Sequence, residues 1–279
     1  MRLRFLFRGK TTGFPGKASL IQQKVMPSAR SKTRLTQAIL AVPPKSLKEM
    51  MADCTTKTIG EFPFEGQLSR NMGGIFIQLF ELTSKGPLTT HGQVAALTLA
   101  IRNFRFLQCA ADNIFDGYYE VGMTVLRNVY ENNLLATYLS RNPEKSKEWL
   151  SGRYFDQKFL RNAVGQSNSI YGVLSEVYAH PGSVRSVILL FEKIEKRTLT
   201  LRLYPEFDSR KCSIAIQFLL MMNWHSILEF QYAFRETLWK NETWKTNFTT
   251  WNEIIVKYIE EKVIKKSDLK FEFKNKLPT

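Results

Sequence analysis

The fold turns on YYEVGMTVLRNVYENNLLATYL, residues 118–139. Tyr118, Val121, Val125, Leu126, Val129, Leu134, Leu135 and Tyr138 cover a broad arc of a helix with 3.6 residues per turn. The polar positions Asp116, Glu120, Thr124, Arg127 and Glu131 fall on one line at spacings of four, four, three and four. For Asp116 and Glu120 this reads as a solvent-facing stripe on an amphipathic helix. Arg127 and Glu131 are flanked so closely by apolar residues that they require a partner, because a buried charge left alone costs several kcal/mol. Arg suits such a contact, since its planar fork can bridge to another helix.

A second stretch carries the same signature. YGVLSEVYAHP, residues 171–181, places Glu176 and His180 four apart, with His180 at a helix end just before Pro181. A cation is favoured there by the helix dipole, and a nearby carboxylate also favours protonation. Arg127, Glu131, Glu176 and His180 are therefore expected to meet in one interhelical cluster, either as a lock for the bundle or as a site. A metal centre would draw on Glu131, Glu176 and His180. Di-iron bundles, however, use two Glu-x-x-His motifs on separate helices. This chain has a single Glu-x-x-x-His, so no metal and no other cofactor is expected.

Outward from residue 118 the pattern stays helical. Gln67–Ser84 is amphipathic and ends at Lys85-Gly86-Pro87. Thr89 or Thr90 can cap a helix running through Val94, Leu97, Ile101, Phe104 and Leu107 to Phe115. Asp116-Gly117 then makes a tight connection into the 118–141 helix, giving an antiparallel helical hairpin. A helix follows from Pro143 to about Val164, a short one over 170–180, a long one over 209–240, and a last one opened by the capping box Thr250-x-x-Glu253. Between them, Val187–Ile194 and the alternating Thr198–Tyr204 predict a small β-hairpin near 187–204. The fold class is mainly α: a single helical-bundle domain of about seven helices over residues 49–279.

Composition agrees. The 279 residues are 44% hydrophobic, enough for a core, and Cys54, Cys109 and Cys212 form neither a disulfide framework nor a zinc motif. That pattern fits reduced thiols in a cytoplasmic protein. The longest apolar runs, such as Phe218–Met222, are far shorter than the roughly 18 residues of a membrane span. The net charge of +15 is uneven: residues 1–48 hold eleven Lys or Arg and no acid, whereas the rest holds 29 bases and 25 acids. Residues 1–48 read as a basic, disordered arm. It could bind RNA or another polyanion, act as a targeting peptide, or be an extension preceding a start at Met26 or Met50. No phosphate loop, nucleophile elbow or His-Glu-x-x-His occurs, and His91 and His225 stand alone in the sequence.

The two stretches, with Pro143 between them, resemble a prokaryotic family of uncharacterised all-helical proteins over roughly residues 92–240. The matching positions are Arg127, Glu131, Tyr171, Ser175, Glu176 and His180. That family is loosely similar to the HEPN superfamily of helical bundles, which includes RNA-cutting toxins and abortive-infection proteins. HEPN ribonucleases carry Arg, a polar residue and, a few positions later, His. Here Arg127-Asn128 begins such a motif, but Asn132 and Asn133 stand where the His would be, which removes the acid or base that RNA cleavage needs. The resemblance implies a non-catalytic or cryptically active protein- or RNA-interaction module, acting in phage defence or stress and forming a homodimer through broad apolar faces. The alternatives are a metal-independent ribonuclease using Arg127 and His180, with Tyr171 and Ser175 in support, and a nucleic-acid binder working through residues 1–48.

Overall fold

The computed structural model describes residues 45–165, Leu174 and residues 204–264. It also describes the backbone of five short strands: β1 (Leu6–Phe7), β2 (Gln37–Leu40), β3 (Phe191–Glu195), β4 (Thr198–Leu201) and β5 (Phe271–Glu272). The architecture is mainly α-helical, as the apolar periodicity predicts. Nine helices lie among the described residues: α1 (Leu47–Glu61), α2 (Pro63–Ser84), α3 (His91–Phe115), α4 (Tyr119–Arg141), α5 (Pro143–Leu150), α6 (Gln157–Val164), α7 (Ser209–Ala233), α8 (Arg235–Leu238) and α9 (Glu242–Tyr258). A π-helical turn, Ile259–Ile264, continues α9. No helix among the described residues is long and apolar enough to cross a membrane.

Local chemistry explains the boundaries. Ser46 and Glu49 form a capping box that opens α1, each side chain bonding the other's backbone N–H. Thr90 Oγ1 accepts from Gln93 N at 3.1 Å to open α3. Gly117 turns the chain between α3 and α4 at φ +88°, where a Cβ would stand 2.9 Å from Cys54 Sγ. Asp208 Oδ1 accepts from Lys211 N at 2.9 Å to open α7, and Tyr119 Oη accepts from Asp208 N at 3.1 Å, tying that cap to α4.

Four boundaries differ from expectation. The helix expected over 143–164 is two helices, α5 and α6, separated by Gly152 at φ +95°. The one expected over 209–240 breaks at Phe234. The last helix begins at Glu242, not at Thr250: Asn241 Oδ1 accepts from Trp244 N at 2.8 Å, and buried Trp244 and Phe248 hold the extra turns against the core. A Ser/Thr-x-x-Glu pattern acts as a cap only where the chain enters a helix, and Thr250 lies well inside one. Finally, α1 escapes the periodicity reading because it buries only Met50, Cys54 and Thr58.

The core centres on α7, which packs against α4, α3 and α2. Every position from Leu219 to Ile227 is buried, so the middle of this helix is enclosed on all sides. Trp224 Nε1 donates to Asn252 Oδ1 at 2.9 Å, fastening α9 to it, and Ser209 Oγ bonds Glu61 of α1. The α3–α4 hairpin closes over Gly122, where a Cβ would meet Ile114 Cγ1 at 2.5 Å and Ala110 O at 3.1 Å. In the predicted hairpin region β3 and β4 pair antiparallel, Glu195 opposite Thr198. β2 lies parallel beside β4, and β1 pairs with β5.

Two outcomes follow. Gly122→Ala overpacks the α3–α4 contact and is expected to lower unfolding stability by about 1–3 kcal/mol. Gly74→Ala, in α2 with nothing within 4 Å of its Cβ position, is expected to raise it by about 0.4–1 kcal/mol; urea titrations of both variants measure the difference. Burial pushes the Cys212 thiol up to about 11 and also raises that of Cys54, whereas Cys109 is exposed. At pH 8 a thiol reagent is therefore expected to label one cysteine rapidly. Cys109→Ser should remove that phase, and denaturant should release the other two thiols.

Candidate functional site

Arg127 and Glu131, one turn apart on α4, form an ion pair. Arg127 Nε lies 2.9 Å from Glu131 Oε1, and the two side chains are 23% and 21% exposed. The partners expected from the second stretch, Glu176 and His180, and the supporting Tyr171 and Ser175, lie outside the described residues. Leu174, within that stretch, is fully buried and belongs to the core. Asp116 and Glu120 do not face open solvent as expected. Thr55 Oγ1 of α1 donates to Asp116 Oδ1 at 2.8 Å, and Lys211 of α7 lies 3.5 Å from Glu120. The polar line of α4 is thus used at its start to receive α1 and α7.

The other face of α4 carries the feature that sequence reading missed. Asn132 and Asn133 are buried, 7% and 0% exposed, and meet Asn103 of α3 and Ser226 of α7. Asn132 Nδ2 donates to Asn103 Oδ1 at 2.8 Å. Asn103 Nδ2 donates to Asn133 Oδ1 at 2.8 Å and to Ser226 Oγ at 3.1 Å. Ser226 Oγ donates towards Asn133 Oδ1 and Met222 O, each at 2.9 Å. Asn133 Nδ2 reaches Met222 O at 3.4 Å. This closed ring of amide and hydroxyl groups fixes the orientation of each amide, since a buried donor left unmet costs about 1–3 kcal/mol. A signal was present in the sequence: Asn103 stands four residues from both Leu99 and Leu107, on the apolar face of its helix.

Above the ring lies a cavity of about 290 Å³ between α3, α4 and α7. Asn103, Asn133 and Ser226 stand at its inner end. Its walls are mainly apolar, from Ala96, Leu99 and Ala100 of α3, Ala136 and Leu139 of α4, and Phe230 of α7. It reaches exposed Thr90 and Tyr232 at the end of the bundle. Among the described residues, Glu229 of α7 is the only one lining it that carries a carboxylate, and neither Lys nor Arg lines it. His225, alone in the sequence, has a partner in space: its Nε2 is 3.5 Å from Glu229 Oε1, one helical turn on.

Among the described residues no group of three His, Cys, Asp or Glu side chains could hold a metal ion. No family model, no curated protein and no solved structure matches the chain. Geometry and chemistry therefore carry the functional reading.

Asn133→Ala leaves Asn103 and Ser226 buried without their common acceptor and is expected to cost about 2–3 kcal/mol in denaturant unfolding. In a double-mutant cycle, Arg127→Ala and Glu131→Ala are expected to couple by only about 0.5–1 kcal/mol, the scale of a partly exposed pair one turn apart.

Proposed function

We propose that the protein is a non-catalytic, HEPN-like helical module that binds RNA rather than cutting it. One observation carries this reading. At the positions where a HEPN nuclease would hold its histidine, Asn132 and Asn133 are buried and bonded into a helix-to-helix ring. An amide there has no proton to exchange near neutral pH and is turned inward, away from a polyanionic substrate. Arg127, which a nuclease would use on phosphate charge, instead pairs with Glu131. Affinity for phosphate would come from residues 1–48, with eleven bases and no acid, through counterion release.

Single-stranded RNA incubated with the full chain is expected to remain intact, for the wild type and for Arg127→Ala and His180→Ala alike. The same RNA should be retarded in a gel, with affinity falling as salt rises. Replacing Lys24, Arg30, Lys32 and Arg34 with Gln should weaken that retardation and flatten its salt dependence. Cleavage by the wild type that His180→Ala abolishes would overturn the proposal in favour of a metal-independent ribonuclease.

A further inference from the structure

The cavity between α3, α4 and α7 is distinct from the residues proposed above to hold RNA, and its chemistry points to a different ligand. We infer that it binds a small organic amine: one ammonium group on an apolar body. The argument begins with charge. Among the described residues Glu229 is the single carboxylate on the lining, and neither Lys nor Arg lines it. An anion would find no Lys or Arg among the described lining residues, whereas a cation finds a carboxylate in a setting largely withdrawn from water, where such a contact is stronger than at the surface. His225 Nε2 lies 3.5 Å from Oε1 of Glu229, and the Glu229 side chain is 18% exposed, so a ligand entering from the bundle end can reach the carboxylate.

The walls fix the rest of the ligand. Ala96, Ala100 and Ala136 are small residues on facing helices, and they leave the space that larger side chains would fill. Leu99, Leu139 and Phe230 supply apolar surface for a hydrocarbon or aromatic body. Phe230 and Tyr232 add aromatic rings to the lining, which favour a cation over a neutral group. At the inner end the amide donors of Asn103 are already committed to Asn133 and Ser226, so that end offers shape more than new hydrogen bonds. A volume of about 290 Å³ is at the small end of ligand sites, which span roughly 300–1,000 Å³. It suits a single-ring or short-chain amine and excludes a nucleotide.

Such a pocket, lined by three helices that the buried ring holds together, would make the module responsive to a metabolite. This inference does not rest on RNA binding, and it survives if the chain proves to be a nuclease.

The test uses the full chain and 2-phenylethylamine, with 2-phenylethanol and 3-phenylpropionate as neutral and anionic counterparts. Calorimetry and ligand-detected NMR at pH 7 are expected to show the amine binding at least tenfold more tightly than either counterpart. Glu229→Gln, which keeps the shape, should remove that preference while leaving the alcohol's affinity unchanged. Ala136→Leu, which fills the cavity, should abolish binding of both amine and alcohol; Ala96→Leu repeats the test from the opposite wall, and circular dichroism establishes that each variant is folded. Failure of the amine to bind, an equal or stronger affinity for the alcohol or the carboxylate, or an unaltered amine preference in Glu229→Gln would overturn the inference.

Discussion

The ring of Asn103, Asn132, Asn133 and Ser226 is the constraint on which the rest of the structure depends. Apolar packing brings α3, α4 and α7 together but tolerates small slides of one helix past another, because one methyl contact resembles the next. A buried ring of amides does not. Each donor has an acceptor at a fixed distance, and a shift of a single residue would leave several polar groups unmet in a dry interior. The register of three long helices follows from that condition. The cavity follows too, because its inner end is the upper surface of the ring.

The charged line of α4 is used differently. Asp116 and Glu120 receive Thr55 and Lys211, so the start of α4 is where α1 and α7 dock. Arg127 and Glu131, farther along, satisfy one another on a partly exposed face. A pair of this kind contributes little to stability by itself. Glu176 and His180, the partners expected for this pair from the sequence, lie outside the described residues.

The helices were legible in the sequence where apolar residues recur at three and four over several turns, as in α2, α3 and α4. Their ends were legible where Gly, Pro or a capping residue interrupts the pattern, as at Lys85-Gly86-Pro87 and Asp116-Gly117. Reading failed where burial is sparse or complete. α1 buries a stripe only one residue wide, so its Ser46–Glu49 capping box was the better signal. The middle of α7, Leu219–Ile227, is buried on every side, so the apolar pattern there runs on without a polar face and gives no mark of the break before α8. Of the candidate site, the Arg127–Glu131 pair was legible because both partners share one helix. The Glu229 cavity was not, because its lining combines the α3–α4 hairpin with α7, about ninety residues further along, and its alanine, leucine and phenylalanine walls look like any core.

By itself the sequence determined the mainly helical class, the α3–α4 hairpin and the concentration of positive charge before residue 49. These depend on residues close together along the chain: periodicity, turn chemistry and composition. Only the tertiary structure decided that Asn132 and Asn133 close a buried ring instead of merely lacking a histidine, and that the Glu229 carboxylate lines a mainly apolar cavity. Those facts depend on which helices become neighbours, and a hydrogen bond between residues 103 and 226 leaves no mark in the local pattern at either end.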